Sequence, residues 1–188
     1  MKNKILFFVC LLLSNYLFSQ TSDFRGLSWG VNRAEVKQTE QAKFVLEQDN
    51  YLEYKSVLGD YDARLQYHFG IDGKLMGTKY IIQNRFSNPQ QHFQEYDFFA
   101  NLIKEKYGKP TKKSIITSEE NPKDKSAYTS LLQEGKFSQE TKWETPNTEI
   151  KLVLSGGGDA VILAIEYDSK EFEQLNQKQK RLMVLKDL

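Results

Sequence analysis

Ala63-Arg64-Leu65-Gln66-Tyr67-His68-Phe69-Gly70-Ile71-Asp72-Gly73-Lys74-Leu75-Met76-Gly77-Thr78-Lys79-Tyr80-Ile81-Ile82 reads as a β-hairpin. Between 63 and 69 the side chains alternate: Leu65, Tyr67 and Phe69 share one face, and Arg64, Gln66 and His68 share the other. Successive side chains of a strand point to opposite faces, so this alternation marks a strand buried on one side only. Asp72-Gly73 supplies the turn. The returning strand runs from Leu75 to about Gln83, with Met76, Thr78, Tyr80 and Ile82 on one face.

A second hairpin repeats the pattern 85 residues on. Ile150, Leu152 and Leu154 align with Leu65, Tyr67 and Phe69; Val161, Leu163, Ile165 and Tyr167 align with Met76, Thr78, Tyr80 and Ile82. A helix precedes each hairpin. Before the first, Asn32-Arg33-Ala34-Glu35 is a capping-box pattern opening a short helix over about 33–41, and 43–58 has strand character. Before the second, Ser87-Asn88-Pro89 opens a long helix: Asn88 is the cap, Pro89 suits the first helical position and Gln91 is the box partner. Phe93, Tyr96, Ala100, Ile103 and Tyr107 follow helical spacing, and Gly108-Lys109-Pro110 ends the run. Residues 117–136 read as a polar surface loop with a brief helix near 128–132, and strands are expected at about 137–144, 148–154 and 160–167. Asp168-Ser169 caps a weakly amphipathic terminal helix.

The expected fold is therefore α+β: two tandem helix-plus-antiparallel-sheet units in two layers, with a C-terminal helix. The units would span 24–84 and 87–168, and the helix 169–188, within one domain over 20–188. The alternative to a duplication is that any two half-buried hairpins alternate alike.

The start of the chain bears on location. Met1-Lys2-Asn3-Lys4 is basic, Ile5 to Leu13 is apolar, and Ser14 to Ser19 leads to Gln20, which is the layout of a signal peptide over 1–19. A membrane-spanning helix would need roughly 20 apolar residues. Cys10 lies inside the apolar run rather than at its end, where a lipid-accepting cysteine belongs. The expectation is an exported protein, periplasmic or secreted, with no transmembrane segment after cleavage. The leader holds two of the 26 basic residues and none of the 25 acidic ones, so the remaining 169 residues carry a net charge of −1. That balance excludes a nucleic-acid partner, which requires a basic stripe. With Cys10 the only cysteine, the mature chain has no disulfide, thiol nucleophile or thiolate metal site.

No catalytic set assembles. His68 and His92 lack metal-ligand spacing, Asp60-x-Asp62 stops short of a calcium loop, and Ser155-Gly156-Gly157-Gly158-Asp159 precedes a β-branched run rather than a helix. No cofactor, metal or catalytic residue is expected. Trp29 reads as a core anchor at the start of the first helix. The binding candidates are aromatic: Tyr51, Tyr54 and Tyr61 as a tyrosine-rich patch, and Trp143 on a strand whose neighbours are charged. Core packing explains the tyrosines equally well.

Phe24-Arg25-Gly26-Leu27-Ser28-Trp29-Gly30, followed by a capped helix containing Val36, resembles the opening of a widespread group of small exported bacterial proteins of unknown function. That group often carries Phe-x-x-x-Gly-x-Leu, as in Phe69 to Leu75, and Lys-Tyr-Gly-x-Pro, as in Lys106 to Pro110. The resemblance spans about 24–110 and implies no catalytic residues. The fold unit is similar to SmpA/OmlA (BamE-like) domains and to the tandem β-lactamase-inhibitor-protein fold, which implies work by protein–protein contact. This chain departs from them in having neither a lipid-accepting cysteine at a mature N-terminus nor disulfides. The expected function is a non-enzymatic binding or interaction module with an envelope protein partner. The alternative is a carrier of a small apolar ligand in a closed pocket lined by Phe69, Tyr80 and Phe99. An enzyme would need His68 beside a carboxylate in a cleft. Oligomeric state is not legible.

Overall fold

The computed structural model describes residues 22–84, 86, 88, 90–117, 127–157 and 160–187. The leader 1–19, Cys10, Ser87, Pro89 and the Gly158-Asp159 turn lie outside the described residues, as does 118–126 of the polar loop.

Eight antiparallel strands form one sheet: β1 (Lys43–Glu47), β2 (Tyr51–Leu58), β3 (Tyr61–Phe69), β4 (Leu75–Ile82), β5 (Lys112–Thr117), β6 (Phe137–Glu144), β7 (Thr148–Gly157) and β8 (Ala160–Ser169). Their spatial order is β1-β2-β3-β4-β8-β7-β6-β5. The described helices are α1 (Arg33–Thr39), α2 (Gln91–Tyr107), α3 (Ala127–Gln133) and α4 (Lys170–Asp187).

This corrects the expected architecture. The chain does not build two tandem helix-plus-sheet units, because β4 and β8 pair along Gly77↔Asp168 through Ile81↔Ala164 and fuse all eight strands. Unpaired strand edges carry unsatisfied N–H and C=O groups, and joining β4 to β8 removes two such edges. Hairpin alternation reports which face of a strand is buried; it carries no information about which strand lies beside it.

The alternation itself holds. Ala63, Leu65, Tyr67 and Phe69 of β3 and Ile150, Leu152 and Leu154 of β7 are buried on the same face. A bulge between His68 and Phe69 lets Phe69 pair with Leu75, and Gly73 takes φ +73° in the turn. Helices α1, α2 and α3 lie over this face. Val36 of α1 is buried, Tyr96 of α2 shares a 2.7 Å hydroxyl contact with Thr141, and Tyr128 of α3 packs on Phe137.

Local signals explain most helix ends. Asn32 Oδ1 accepts from the N–H groups of Ala34 and Glu35 while Glu35 reaches back to Asn32 N, completing the capping box. Gly108 ends α2 at φ +87°. The start of α2 differs from expectation: Asn88 Oδ1 accepts from Gln90 N, and the helix begins at Gln91 with no side-chain cap. Strand β5 falls just after the expected helix end at Pro110, where no strand was expected. Gly156 is more than a turn residue, since a Cβ there would stand 1.7 Å from the Leu132 carbonyl oxygen, so its lack of a side chain admits the end of α3 onto β7.

Ser169 Oγ accepts from Phe172 N at the start of α4. Phe172 lies against Gly30, and the buried Asn176 accepts from Ile71 N. Beyond this anchor Leu182, Met183, Val184 and Leu185 are exposed. No described helix is long and apolar enough to cross a membrane.

Candidate functional site

The face of the sheet opposite α1–α3 is polar, and the strand register arranges it in rows. One row reads Glu53, Gln66, Lys79, Glu166, Lys151, Lys142, Lys112 across seven strands. The next reads Tyr51, His68, Gly77, Asp168, Glu149, Glu144. On the β5–β8 half, three adjacent lysines therefore run beside three adjacent acids.

Like charges directly opposite each other are destabilising in a sheet. Pairing across the diagonal and along the strand relieves them: Lys151 reaches Asp168 on β8 at 2.8 Å and Glu149 on its own strand at 3.1 Å, and Lys142 reaches Glu149 on β7 at 3.5 Å and Glu140 on its own strand at 3.6 Å. Toward β3, Lys79 meets Glu166 at 2.8 Å. Burial pushes the Asp168 carboxyl above its ordinary range despite Lys151, with Glu166 and Glu173 adding to the rise. Burial also lowers the His68 imidazole, and Lys79 adds to that against Glu166.

On the helical side, Arg25 and Glu40 form the central polar cluster. Arg25 Nε and Nη2 donate to the two Glu40 oxygens at 2.9 Å each, and Nη1 donates to the Tyr80 hydroxyl at 3.2 Å. The Tyr67 hydroxyl and Ala42 N–H also donate to Glu40. A carboxylate offers about four acceptor sites, and each Glu40 oxygen receives two donors. Burial pushes Glu40 up, but the bonds from Arg25, Tyr67 and Ala42 prevail, and its pKa lies below the ordinary value. Arg25 has φ +46°, a strained value for a residue with a side chain, and its bonds to Glu40 and Tyr80 hold it there.

Beside this cluster, a half-open cleft of about 600 Å³ lies over the β4–β8 seam. The residues around 22–25 wall it on one side; the end of α2 and the β6–β7 turn wall it on the other. Phe24, Tyr80, Tyr107 and Tyr167 contribute aromatic surface, with Phe24 5.1 Å from Tyr167 and Tyr107 6.4 Å from Tyr167 between ring centres. Burial raises the phenols of Tyr80 and Tyr167, which therefore stay protonated at neutral pH.

The expected aromatic candidates do not form one surface. Tyr51 lies on the polar face, 5.7 Å from His68 between ring centres. Tyr54 is buried on the helical face, and its hydroxyl has no hydrogen-bond partner among the described residues. Tyr61 packs on Phe99 and donates to Glu95, where burial and Glu95 push its phenol up to about 12. Trp143 is 1% exposed and donates to the Gly108 carbonyl at 3.2 Å. Trp29 donates to Thr148 Oγ1 at 2.9 Å and packs against the core. Of Phe69, Tyr80 and Phe99, only Tyr80 lines the cleft. Among the described residues no group of three or more His, Cys, Asp or Glu side chains could hold a metal.

Arg25 and Glu40 escaped the sequence reading, being 15 residues apart and without a motif of their own; the one signal was Arg25 inside the Phe24-to-Gly30 opening. Comparison of the chain with protein-family models, curated proteins and solved structures finds no match.

Proposed function

We propose that this protein is an exported, non-enzymatic interaction module of the cell envelope that docks a protein partner on the polar face of its sheet. The observation that carries this reading is the pair of adjacent rows, Lys151-Lys142-Lys112 beside Asp168-Glu149-Glu144. Ion pairs hold Lys151, Lys142, Asp168 and Glu149 in place, and Lys170 holds Glu144, so most of the two rows presents an ordered charge pattern rather than loose solvated chains. Patterned charge steers a partner bearing the complementary pattern and rejects others. The apparent leader at 1–19 supports export.

The test is capture of a partner from the envelope fraction of the source cell by the chain tagged at its C-terminus. Lys112→Glu combined with Lys142→Gln disrupts the basic row, and Lys104→Glu on the exposed side of α2 serves as control; urea unfolding checks that all three forms fold. The expected result is one stoichiometric protein, lost with the double variant, kept by the control and weakened at high salt. No retained protein, or one that the double variant binds equally well, would overturn the proposal.

A further inference from the structure

We infer that the cleft over the β4–β8 seam binds a small aromatic carboxylate. This is a second site on the opposite face of the sheet and does not rest on the interaction reading. The cleft exists because the helical layer is divided there: α1 and the residues around 22–25 cover the β2–β4 half, and α2 and α3 cover the β6–β8 half. Its volume of about 600 Å³ lies in the range of small-molecule sites.

Shape and charge select the ligand. Phe24, Tyr80, Tyr107 and Tyr167 present tilted ring faces and edges to the cleft, surfaces that suit a flat apolar body. An aromatic cage alone would also suit an organic cation. The exposed charge at the rim favours an anion: Lys106 and Arg25 line the cleft, with Asp23 the only carboxylate among its lining residues. Asp23 Oδ2 accepts from Trp29 N at 2.9 Å, a bond to a neutral donor that leaves the carboxylate charged at the Ser22 end of the cleft. Arg25 is committed to Glu40, which leaves Lys106 to meet the anion. Its ammonium stands 5.0 Å from the Tyr107 ring centre, and among the described residues it has no carboxylate partner. Asn147 and Thr145 offer neutral hydrogen-bonding groups at the same rim. A carboxylate beside Lys106 would place its ring over Tyr107 and Tyr167.

The experiment titrates the full chain calorimetrically with 2-naphthoate, 2-naphthalenemethanol and 2-naphthylmethylammonium. The expected order is carboxylate tighter than alcohol, and alcohol tighter than ammonium. Lys106 is exposed, so Lys106→Met leaves the fold intact; it should weaken naphthoate about threefold to fivefold, the scale of a part-exposed ion pair, and leave the alcohol unchanged. Tyr107→Leu should weaken carboxylate and alcohol together. No binding of any probe at millimolar concentration, ammonium binding as well as carboxylate, or naphthoate affinity indifferent to Lys106→Met would each overturn the inference.

Discussion

Glu40→Gln should be among the most damaging single-atom changes available to this chain. The Glu40 side chain is 1% exposed and receives four donors, two on each oxygen. Replacing one oxygen by an NH₂ group sets a donor against two donors and removes the charge opposite Arg25. Breaking a buried ion pair costs about 3–5 kcal/mol. The Arg25 side chain is 37% exposed, so water recovers part of its solvation, and the expected loss is about 3 kcal/mol. For a chain of this length that is a fall in Tm of roughly 6–12 °C. Tyr67→Phe removes one of the four donors and should cost about 1 kcal/mol. Urea unfolding at pH 7, followed by circular dichroism and tryptophan fluorescence, gives both values, with the m-value unchanged if only the native state is affected.

The same pair of proteins tests the electrostatics. The Glu40 pKa in the folded chain lies below the 4.5 of an ordinary glutamate. The unfolded chain therefore binds the proton first as pH falls, and the stability Glu40 contributes is complete above about pH 4.5 and lost as pH drops through the folded value. The gap between wild type and Glu40→Gln should be constant from pH 7 to 5 and narrow below that. A loss under 1 kcal/mol at pH 7, or a gap that widens with acid, would refute the account of this cluster.

Other consequences are open to the same assays. Gly156→Ala should cost about 3 kcal/mol because the Leu132 carbonyl blocks the new methyl group, whereas Gly157→Ala, with nothing near its Cβ position, should stay within about 0.5 kcal/mol. The folded His68 imidazole is held below 6.5, so the unfolded chain binds its proton first; stability should fall as pH drops through about 6.5, and His68→Gln should flatten that slope in urea midpoints measured between pH 7.5 and 5.5. Lys151→Met leaves Asp168 and Glu149 facing each other without their shared cation and should cost about 2 kcal/mol, while Lys112→Met at the sheet edge should cost almost nothing by the same measurement.

The hairpin at 63–82 was legible in its alternation and turn because that information is local, but its bulge was not: Met76, expected on the face of Thr78, Tyr80 and Ile82, is the extra residue between Leu75 and Gly77. Period-2 alternation needs only neighbouring side chains, and Gly73 declares its own turn. The capping box at Asn32 and the Gly108 stop were readable for the same reason. Strand β5, Lys112–Thr117, was not: it lacks clean alternation, and Ile115 and Ile116 stay exposed on an edge, so no buried face marks it. Tyr51 and Tyr54 looked like one patch in sequence, yet three residues along a strand put them on opposite faces.

By itself, then, the sequence determined the mixed helix and strand content, most element positions and the buried face of each hairpin, all of which depend on residues close together in the chain. Only the tertiary structure decided that β4 meets β8, that Arg25 meets Glu40 and Tyr80, and that lysines from three strands align beside acids from three strands. The β4–β8 pairing and the Arg25 bonds join residues 15 to about 90 positions apart. They are selected by the satisfaction of strand edges and buried donors across the whole fold, which no local period records.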